Sequence, residues 1–242
     1  LFRSAGVAAG FTVVPRFVLG GPKFVAPSEK VYIAVIGCGG QGRSNARGLF
    51  AYDDAQIVAV ADPMDRADYS QWYYQGVAGR LPVKAEVEKH YRQGNPAFRC
   101  NDYLDFRELL DKEKNIDAVL CTTPDHVHAY VTVSALHRGK HVYCEKPLTL
   151  NIYEARTVAR AAAEAGVATQ MGNQGRSDDG NRLTCEMVWD GAIGKVREVH
   201  AWSNTGGWSS GRGRPTGRPP VPAGFDWRLW LGPKPDRPYH PA

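Results

Sequence analysis

Two segments of the sequence carry residue types that could hold a nucleotide and act on a second molecule beside it. In residues 33–42 an apolar stretch leads into the pattern G-x-G-x-x-G. In residues 143–147 another apolar stretch ends in Glu-Lys-Pro. A glycine turn of the first kind binds a pyrophosphate, and Lys146 in the second could meet both a nicotinamide and a substrate. Together the segments indicate a dehydrogenase-like protein.

The glycine turn contains Gly37, Gly39, Gly40 and Gly42. Glycine at the motif positions allows a tight turn, close approach of the backbone to the pyrophosphate, and close packing of helix on strand. A helix beginning near Gln41 would direct free N–H groups at the phosphates. The alternative is a strand–turn–helix without a ligand, and the acid described next argues against it.

Asp62 ends the second predicted strand and follows Gly42 by about 20 residues, the separation at which an acid accepts a hydrogen bond from the ribose 2′-OH. A carboxylate there repels a 2′-phosphate, so we expect NAD as the cofactor and NADP as the less favoured one. Arg66 lies close enough in sequence to weaken this preference.

The stretch after the fourth predicted strand supplies further ligand candidates. Loops at the carboxyl ends of parallel strands line the ligand crevice, so Thr122, Thr123 and Pro124 could hold the nicotinamide ribose. Asp125 also suits the N-cap of a helix. His128 is predicted to contact the cofactor or to orient this loop by hydrogen bonding.

The elements that must position these residues alternate between apolar strands and helical patterns. Short continuous apolar runs are typical of a parallel sheet covered on both faces, so the fold class is α/β with a doubly wound Rossmann sheet. The predicted strands are 31–36, 56–61, 97–100, 116–121, 140–144 and 167–171. The predicted helices are 41–51, 83–93, 103–112, 125–138 and 151–165.

The chain divides into three predicted parts. Residues 1–30 form an N-terminal arm or signal remnant, and residues 31–172 form the dinucleotide-binding domain, with an insertion at 63–82 that contains an irregular helix. Residues 173–242 begin a truncated second domain for substrate and oligomerisation, of the α+β open-sheet type. There we expect a helix over 177–190 and a strand over 196–202.

Composition narrows the class of protein. The chain has 242 residues, 43% of them hydrophobic, and a net charge of +5. This mild charge does not indicate a nucleic-acid partner. The five cysteines match no zinc spacing, so we predict no metal and reduced thiols, with Cys38, Cys121 and Cys144 buried at strand ends.

The first residues bear on location. Residues 1–14 are small and apolar with one charge, like the tail of a secretory signal, here of the twin-arginine type. We therefore expect a periplasmic or exported protein if this is a signal, and a cytoplasmic one otherwise. No segment reaches the roughly 18 apolar residues of a membrane span.

Further motifs resemble the glucose–fructose oxidoreductase/inositol dehydrogenase (Gfo/Idh/MocA) family. These are T-P-x-x-x-H, then Gly139-Lys140-His141-Val142 before Glu-Lys-Pro, then Met171 to Gln174, Gly191 to Gly194 and Asp226 to Pro233. The similarity covers most of the chain after residue 30. It implies a nicotinamide-binding Rossmann domain, an open-sheet second domain that forms homo-oligomers, and sugars, inositols or related polyols as substrates.

The resemblance also assigns roles. The family's lysine, which touches both substrate and cofactor, maps onto Lys146, where an ammonium can stabilise developing alkoxide charge. Glu145 would orient or neutralise it, and both could contact the cofactor, as could Asn173. Gln174 and Trp230 are candidate substrate contacts. For the late tryptophans a structural role is favoured over sugar stacking.

One departure matters. The family's second-domain Asp/His motif has no match before Ala242, because His200 and His240 do not fit it. Either the chain stops before that motif, which we expect, or catalysis is lost. Three functions stay open: a NAD-dependent polyol oxidoreductase, a glycosidase that recycles NAD through transient sugar oxidation, and a cofactor-binding protein without turnover.

Overall fold

The computed structural model describes residues 25–70, 76–202, 213 and 215–241. The predicted signal sequence at residues 1–14 lies outside the described residues. No helix among the described residues is long and apolar enough to cross a bilayer.

A six-stranded sheet forms the centre of the fold, in the order β5-β2-β1-β6-β7-β8. Every neighbouring pair in it is parallel. A separate antiparallel pair, β3 and β4, follows β2. The strands are β1 (Val31–Ile36), β2 (Ala55–Ala61), β3 (Ala67–Asp68), β4 (Val77–Ala78), β5 (Asn101–Tyr103), β6 (Ala118–Cys121), β7 (His141–Glu145) and β8 (Thr169–Gly172).

Helices connect these strands, and several of the helices have a short polar side chain at the N-cap position. Asp105, Asn151 and Asp178 each accept a hydrogen bond from a first-turn N–H, which satisfies a donor that the helix itself leaves unpaired. The helices are α1 (Gly40–Leu49), α2 (Arg80–Tyr91), α3 (Phe106–Lys112), α4 (His128–Leu136), α5 (Ile152–Ala165), α6 (Asp179–Trp189) and α7 (Trp227–Leu231).

The core lies on both faces of the sheet. In β1, Ile33 and Val35 belong to one buried cluster, while Ala34 and Ile36 belong to the other. Successive residues of a strand point to opposite faces, so a strand covered on both sides is apolar throughout. The predicted doubly wound parallel sheet is therefore confirmed.

The strand order creates the crevice. From β1 the chain passes to β2 and β5 on one side, and β6, β7 and β8 lie on the other. The loops after β1 and β6 therefore lead away from each other at the carboxyl end of the sheet, where open α/β sheets bind ligands.

Three predicted elements differ from the structure. The strand expected at 97–100 begins at Asn101 instead, because Phe98 and Cys100 pack into the core and the Cys100 N–H donates to the Glu88 carboxylate. The described part of 63–82 forms the β3–β4 hairpin and the start of α2, with no irregular helix of its own.

The strand predicted over 196–202 is also wrong. These residues are exposed and irregular, and no segment within the described ranges pairs with them. A strand needs a neighbour for its N–H and C=O groups, so its alternating pattern alone does not form one. The helix predicted over 177–190 is confirmed as α6, whose apolar residues Leu183, Met187 and Trp189 are exposed.

The prediction of reduced thiols holds for the described residues. All five cysteines are free, and Cys38, Cys121 and Cys144 are buried as expected. Cys100 is buried and Cys185 is exposed.

From the burial in the core we predict that alanine substitutions of two isoleucines differ in their effect on stability. Ile57 is fully buried against α2, so Ile57→Ala should lower the free energy of unfolding by about 2–5 kcal/mol. Ile152 is 74% exposed, so Ile152→Ala should change it by less than about 0.5 kcal/mol. Urea unfolding measures both, and similar losses would contradict this account of the core.

Candidate functional site

The glycine turn is shaped by backbone contact with the loop after β6. Gly37 has a φ of 94°, and a Cβ there would lie 2.5 Å from the carbonyl carbon of Thr122. The Thr122 hydroxyl donates to the Gly37 carbonyl at 2.5 Å. A Cβ on Gly42 would overlap that same carbonyl oxygen. Only glycine fits either position, so the turn stays tight.

Helix α1 begins at this turn. Its N-cap is Gly39, which provides no side-chain cap. The first N–H groups of a helix lack partners within the helix, and here they open onto the crevice. A glycine cradle with a helix N-terminus behind it is the geometry that binds a pyrophosphate.

The crevice is a cleft of about 950 Å³. It brings together residues from the ends of β1, β2, β5 and β6. Nine of the predicted site residues line it: Gly37, Gly39, Gly40, Gln41, Asp62, Thr122, Thr123, Pro124 and Trp230.

Asp62 lies at the carboxyl end of β2, and its carboxylate is held by backbone. One oxygen accepts from the Cys38 N–H at 2.6 Å and the other from the Met64 N–H at 2.7 Å. Burial raises the pKa of Asp62 to about 6, against the lowering effect of these two hydrogen bonds. The carboxylate keeps acceptor capacity for a ribose hydroxyl, because each oxygen has two lone pairs.

Six predicted site residues do not line the cleft: Gly42, His128, Glu145, Lys146, Asn173 and Gln174. Gly42 is buried beneath the turn, where it shapes the backbone. Asn173 is exposed and stands at the N-cap position of a short 3₁₀ turn without a side-chain capping hydrogen bond.

His128 is buried, and both ring nitrogens are engaged. Nδ1 lies 2.6 Å from the Pro147 carbonyl oxygen and Nε2 lies 2.7 Å from the Thr123 carbonyl oxygen. The prediction that it contacts the cofactor is therefore corrected, because no polar ring atom remains. Its predicted loop-orienting role is consistent with both bonds. Burial lowers the pKa of His128, but the Cys144 sulfur and the two carbonyls outweigh it and raise the pKa to about 9.

Glu145 does not neutralise Lys146, contrary to prediction. Its Oε1 accepts from Asn45 at 2.7 Å, Gln174 at 2.6 Å and Gln41 at 3.2 Å. Consecutive residues of an extended strand point to opposite sides. Because the buried Glu145 side chain faces α1, the side chain of Lys146 points away from it. The predicted substrate contact Gln174 is likewise committed to this amide network.

Lys146 follows the end of β7 and is exposed. It makes no hydrogen bond or ion pair to any residue that the structure describes. The Lys146–Pro147 peptide bond is cis. The exposed side chain can offer its ammonium to an oxygen of a neighbouring molecule.

Residues 224–233 cross to the cleft from the far end of the chain. Asp226 donates its N–H to the Pro63 carbonyl at 2.9 Å, and His126 Nε2 donates to the Trp230 carbonyl at 2.8 Å. This cleft segment therefore touches the loops after both β2 and β6. Sequence reasoning placed it in the second domain, and nothing in its composition reveals the contact.

Trp230 lines the cleft and packs against other aromatic rings. Its ring stacks on Trp227 with centroids 4.9 Å apart, which fits the favoured structural role. Sequence reasoning missed further cleft residues on the loop after β2, between β3 and β4, after β5 and on the cleft segment. Among them are Met64, Tyr69, Leu104, Asp105, Phe106, Arg107, Phe225 and Arg228. The rule that crevices lie at carboxyl ends of strands could have found 104–107, had β5 been placed correctly.

The fold also brings Cys121, His128 and Cys144 together, with their sulfur and nitrogen atoms within 4.8 Å of one another. Sequence spacing did not predict this cluster. Binding a metal requires a lone pair on the imidazole, and both nitrogens face carbonyl oxygens instead. The absence of a metal site stays a prediction.

The fold, glycine cradle and acid-ended β2 define a dinucleotide-binding protein of the Rossmann class. Residues 31–173 match the family model described as "Oxidoreductase family, NAD-binding Rossmann fold". The chain belongs to this family, Gfo/Idh/MocA, as its motifs indicated.

Known proteins of several activities resemble the chain. The 2,7-anhydro-N-acetylneuraminate hydratase of Mediterraneibacter gnavus is 28% identical over 74% of this chain and 41% of its own length. The scyllo-inositol 2-dehydrogenase (NAD(+)) of Bacillus subtilis is 30% identical over 69% of this chain and 42% of its own.

A solved structure, myo-inositol 2-dehydrogenase from Lactobacillus plantarum, aligns with a TM-score of 0.52 and 25% identity. It covers 69% of this chain and 43% of that one. The chain thus spans about two fifths of the length of these relatives.

The glycine geometry yields a matched pair of variants on one helix. Gly42→Ala forces a Cβ into the Gly37 carbonyl, so the turn must open and NAD affinity should fall at least about 10-fold, the scale of one lost charge-assisted hydrogen bond. Gly48→Ala meets nothing within 4 Å and should leave affinity unchanged while stabilising α1 by about 0.5–1 kcal/mol. Calorimetric NAD titration tests both, and normal binding by the Gly42 variant would refute the cradle.

Proposed function

We propose that this protein is a NAD-dependent oxidoreductase that transfers a hydride between a nicotinamide and a sugar, inositol or related polyol. The observation that carries the proposal is the single cleft formed by the glycine turn, Asp62 and the loop at 122–124, with the turn bearing Lys146 tied to that loop through His128. Family membership and the inositol dehydrogenase relative support the same reaction class.

The residues suit the parts of NAD in order along the cleft. The turn at Gly37 and Gly39 and the start of α1 would receive the pyrophosphate. Asp62 would accept from a ribose hydroxyl, and Thr122 and Thr123 would face the nicotinamide side. NAD, when bound, supplies the group that accepts or returns the hydride.

Lys146 would act on the reacting oxygen of the substrate. Its exposed ammonium can donate a hydrogen bond to a carbinol or carbonyl oxygen and stabilise the negative charge that grows during hydride transfer. Glu145 acts at a distance. By holding Gln41 and Asn45 of α1, it joins the lysine-bearing strand to the helix behind the pyrophosphate.

A second candidate function is supported by the relative named as a hydratase. Adding water causes no net oxidation, so the family includes a protein whose overall reaction is not a dehydrogenation. A glycosidase that recycles NAD through transient sugar oxidation has the same property. Net formation of NADH with free polyols would favour the oxidoreductase, whereas product without net NADH would favour the recycled cofactor. Binding without turnover remains the third alternative.

Homo-oligomerisation through the second domain and an exported location stay predictions. The exposed apolar residues of α6 suit a contact with further protein.

Replacing the lysine should affect chemistry more than binding. Lys146→Met keeps the length of the side chain and removes its charge, so polyol-dependent NADH formation should fall by about 10²-fold, the scale of one lost electrostatic donor. NAD affinity and melting temperature should change little. Lys89→Met, on the exposed side of α2, is the matched control. Near-normal turnover in the Lys146 variant would end this assignment.

The choice between NAD and NADP should depend on pH. The Asp62 carboxylate, with its pKa raised to about 6, repels a 2′-phosphate only while ionised. The preference for NAD should therefore be complete above about pH 7 and shrink as the pH falls through about 6.

Asp62→Asn should lose roughly 10- to 100-fold of this preference at neutral pH, the scale of a charged hydrogen bond. Parallel titrations of both cofactors across pH measure it. The 2′-phosphate of NADP itself titrates near pH 6. Because the Asn side chain does not ionise, the pH dependence that remains in the variant measures this phosphate titration separately. An unchanged preference in the variant would remove Asp62 from the ribose site.

A further inference from the structure

The ring of His128 is enclosed between two backbone carbonyl oxygens, those of Pro147 and Thr123. A carbonyl oxygen can only accept a hydrogen bond, and a neutral imidazole can donate from only one of its nitrogens. A neutral ring would therefore turn one lone pair toward a carbonyl and leave a buried acceptor unsatisfied, which is costly. Two short contacts of this kind require a proton on both nitrogens.

Few titratable groups face this ring. The strands packed against it contribute the Cys121 thiol from β6 and the Cys144 thiol from β7, both within 4.8 Å. Glu145 faces the amides of α1 instead. On its own turn, His126 points to the cleft segment. No carboxylate among the described residues pairs with His128, so the two carbonyl dipoles and the Cys144 sulfur stabilise its charge.

The two bonded carbonyls belong to the two sides of the proposed reaction site. Thr123 lies in the loop that lines the cleft, and Pro147 directly follows Lys146. One imidazole ring therefore sets the separation between the lysine-bearing turn and the cleft wall. This bridge spans the ends of the neighbouring strands β6 and β7.

We propose that His128 is a positioning residue that carries a permanent positive charge at neutral pH and, by donating from both ring nitrogens, holds the turn that bears Lys146 against the loop that lines the cofactor cleft. The positioning role rests on the proposed oxidoreductase function, whereas the charge on the ring does not. The role needs no contact between His128 and either cofactor or substrate.

The pKa of His128, raised to about 9 from about 6.5 in an unfolded chain, fixes the direction of the pH effect. A group whose pKa rises on folding stabilises the protein fully below the unfolded value. That stabilisation is lost as the pH rises through about 9. The ring should thus stay doubly protonated at neutral pH and release a proton only in alkaline solution.

Nitrogen NMR on protein labelled with ¹⁵N-histidine tests the charge directly. At about pH 7, where a free histidine is mostly neutral, both ring nitrogens of His128 should have imidazolium shifts and attached protons. Assignment through bonds to the backbone makes this measurement independent of any variant. One protonated and one bare nitrogen at that pH would overturn the proposal.

Steady-state kinetics tests the positioning role. His128→Asn removes the charge and one of the two bonds, so kcat for oxidation of myo-inositol or scyllo-inositol should fall by roughly 10- to 100-fold, the scale of a displacement of about 1 Å. The dissociation constant for NAD should change far less. His137→Asn, at the exposed end of the same helix, should change neither.

The pH profile separates positioning from a merely structural role. In the wild-type protein kcat should decline as the pH rises through about 9, and this decline should be absent from the residual activity of His128→Asn. The same decline in both proteins would overturn the positioning role. If the wild-type protein oxidises neither these inositols nor any other sugar or polyol with NAD, the proposed function and the positioning role both fail, while the NMR result still decides the charge on His128.

Discussion

The approach of the Gly37 backbone to the loop after β6 is the contact on which the rest of the site depends. A side chain at 37 would collide with the Thr122 carbonyl carbon, and the Thr122 hydroxyl closes the same gap by bonding the Gly37 carbonyl. Because Gly42 passes beneath that carbonyl, α1 can begin immediately at the turn. The ends of β1 and β6 meet closely at this point, and the chain then leads away from it in opposite directions. The cleft lies between the two loops.

Hydrogen bonds of buried polar groups connect β7 and the turn after it to this part of the site. The Glu145 carboxylate collects amides from α1 and from Gln174, and His128 links the turns after β6 and β7. Buried groups of this kind are costly when unpaired and specific when satisfied. The residues expected to meet ligand are therefore held by a second layer that fixes where strands and helices end.

Much of the Rossmann domain was predictable because its signals are local. A glycine turn, an acid at the end of the next strand and continuous apolar runs each identify an element within a few residues. The role of Glu145 and the two partners of His128 were not predictable, since they depend on which face of a strand or helix is buried and, for Glu145, on partners about a hundred residues away. Only a loop-orienting role for His128 could be expected from its position. The misplaced strand at 97–100 shows the same limit, because burial of Phe98 imitates a strand pattern.

The cleft segment gives the protein a late step in its own folding. Met64 pairs with Phe225, and this contact closes a loop of roughly 160 residues. The entropy cost of closing a loop grows only as the logarithm of its length. The ribosome releases the chain from its N-terminal end, so the sheet can assemble before the cleft segment emerges. The side of the cleft that residues 224–233 cover is therefore open to solvent until they dock on the loops after β2 and β6.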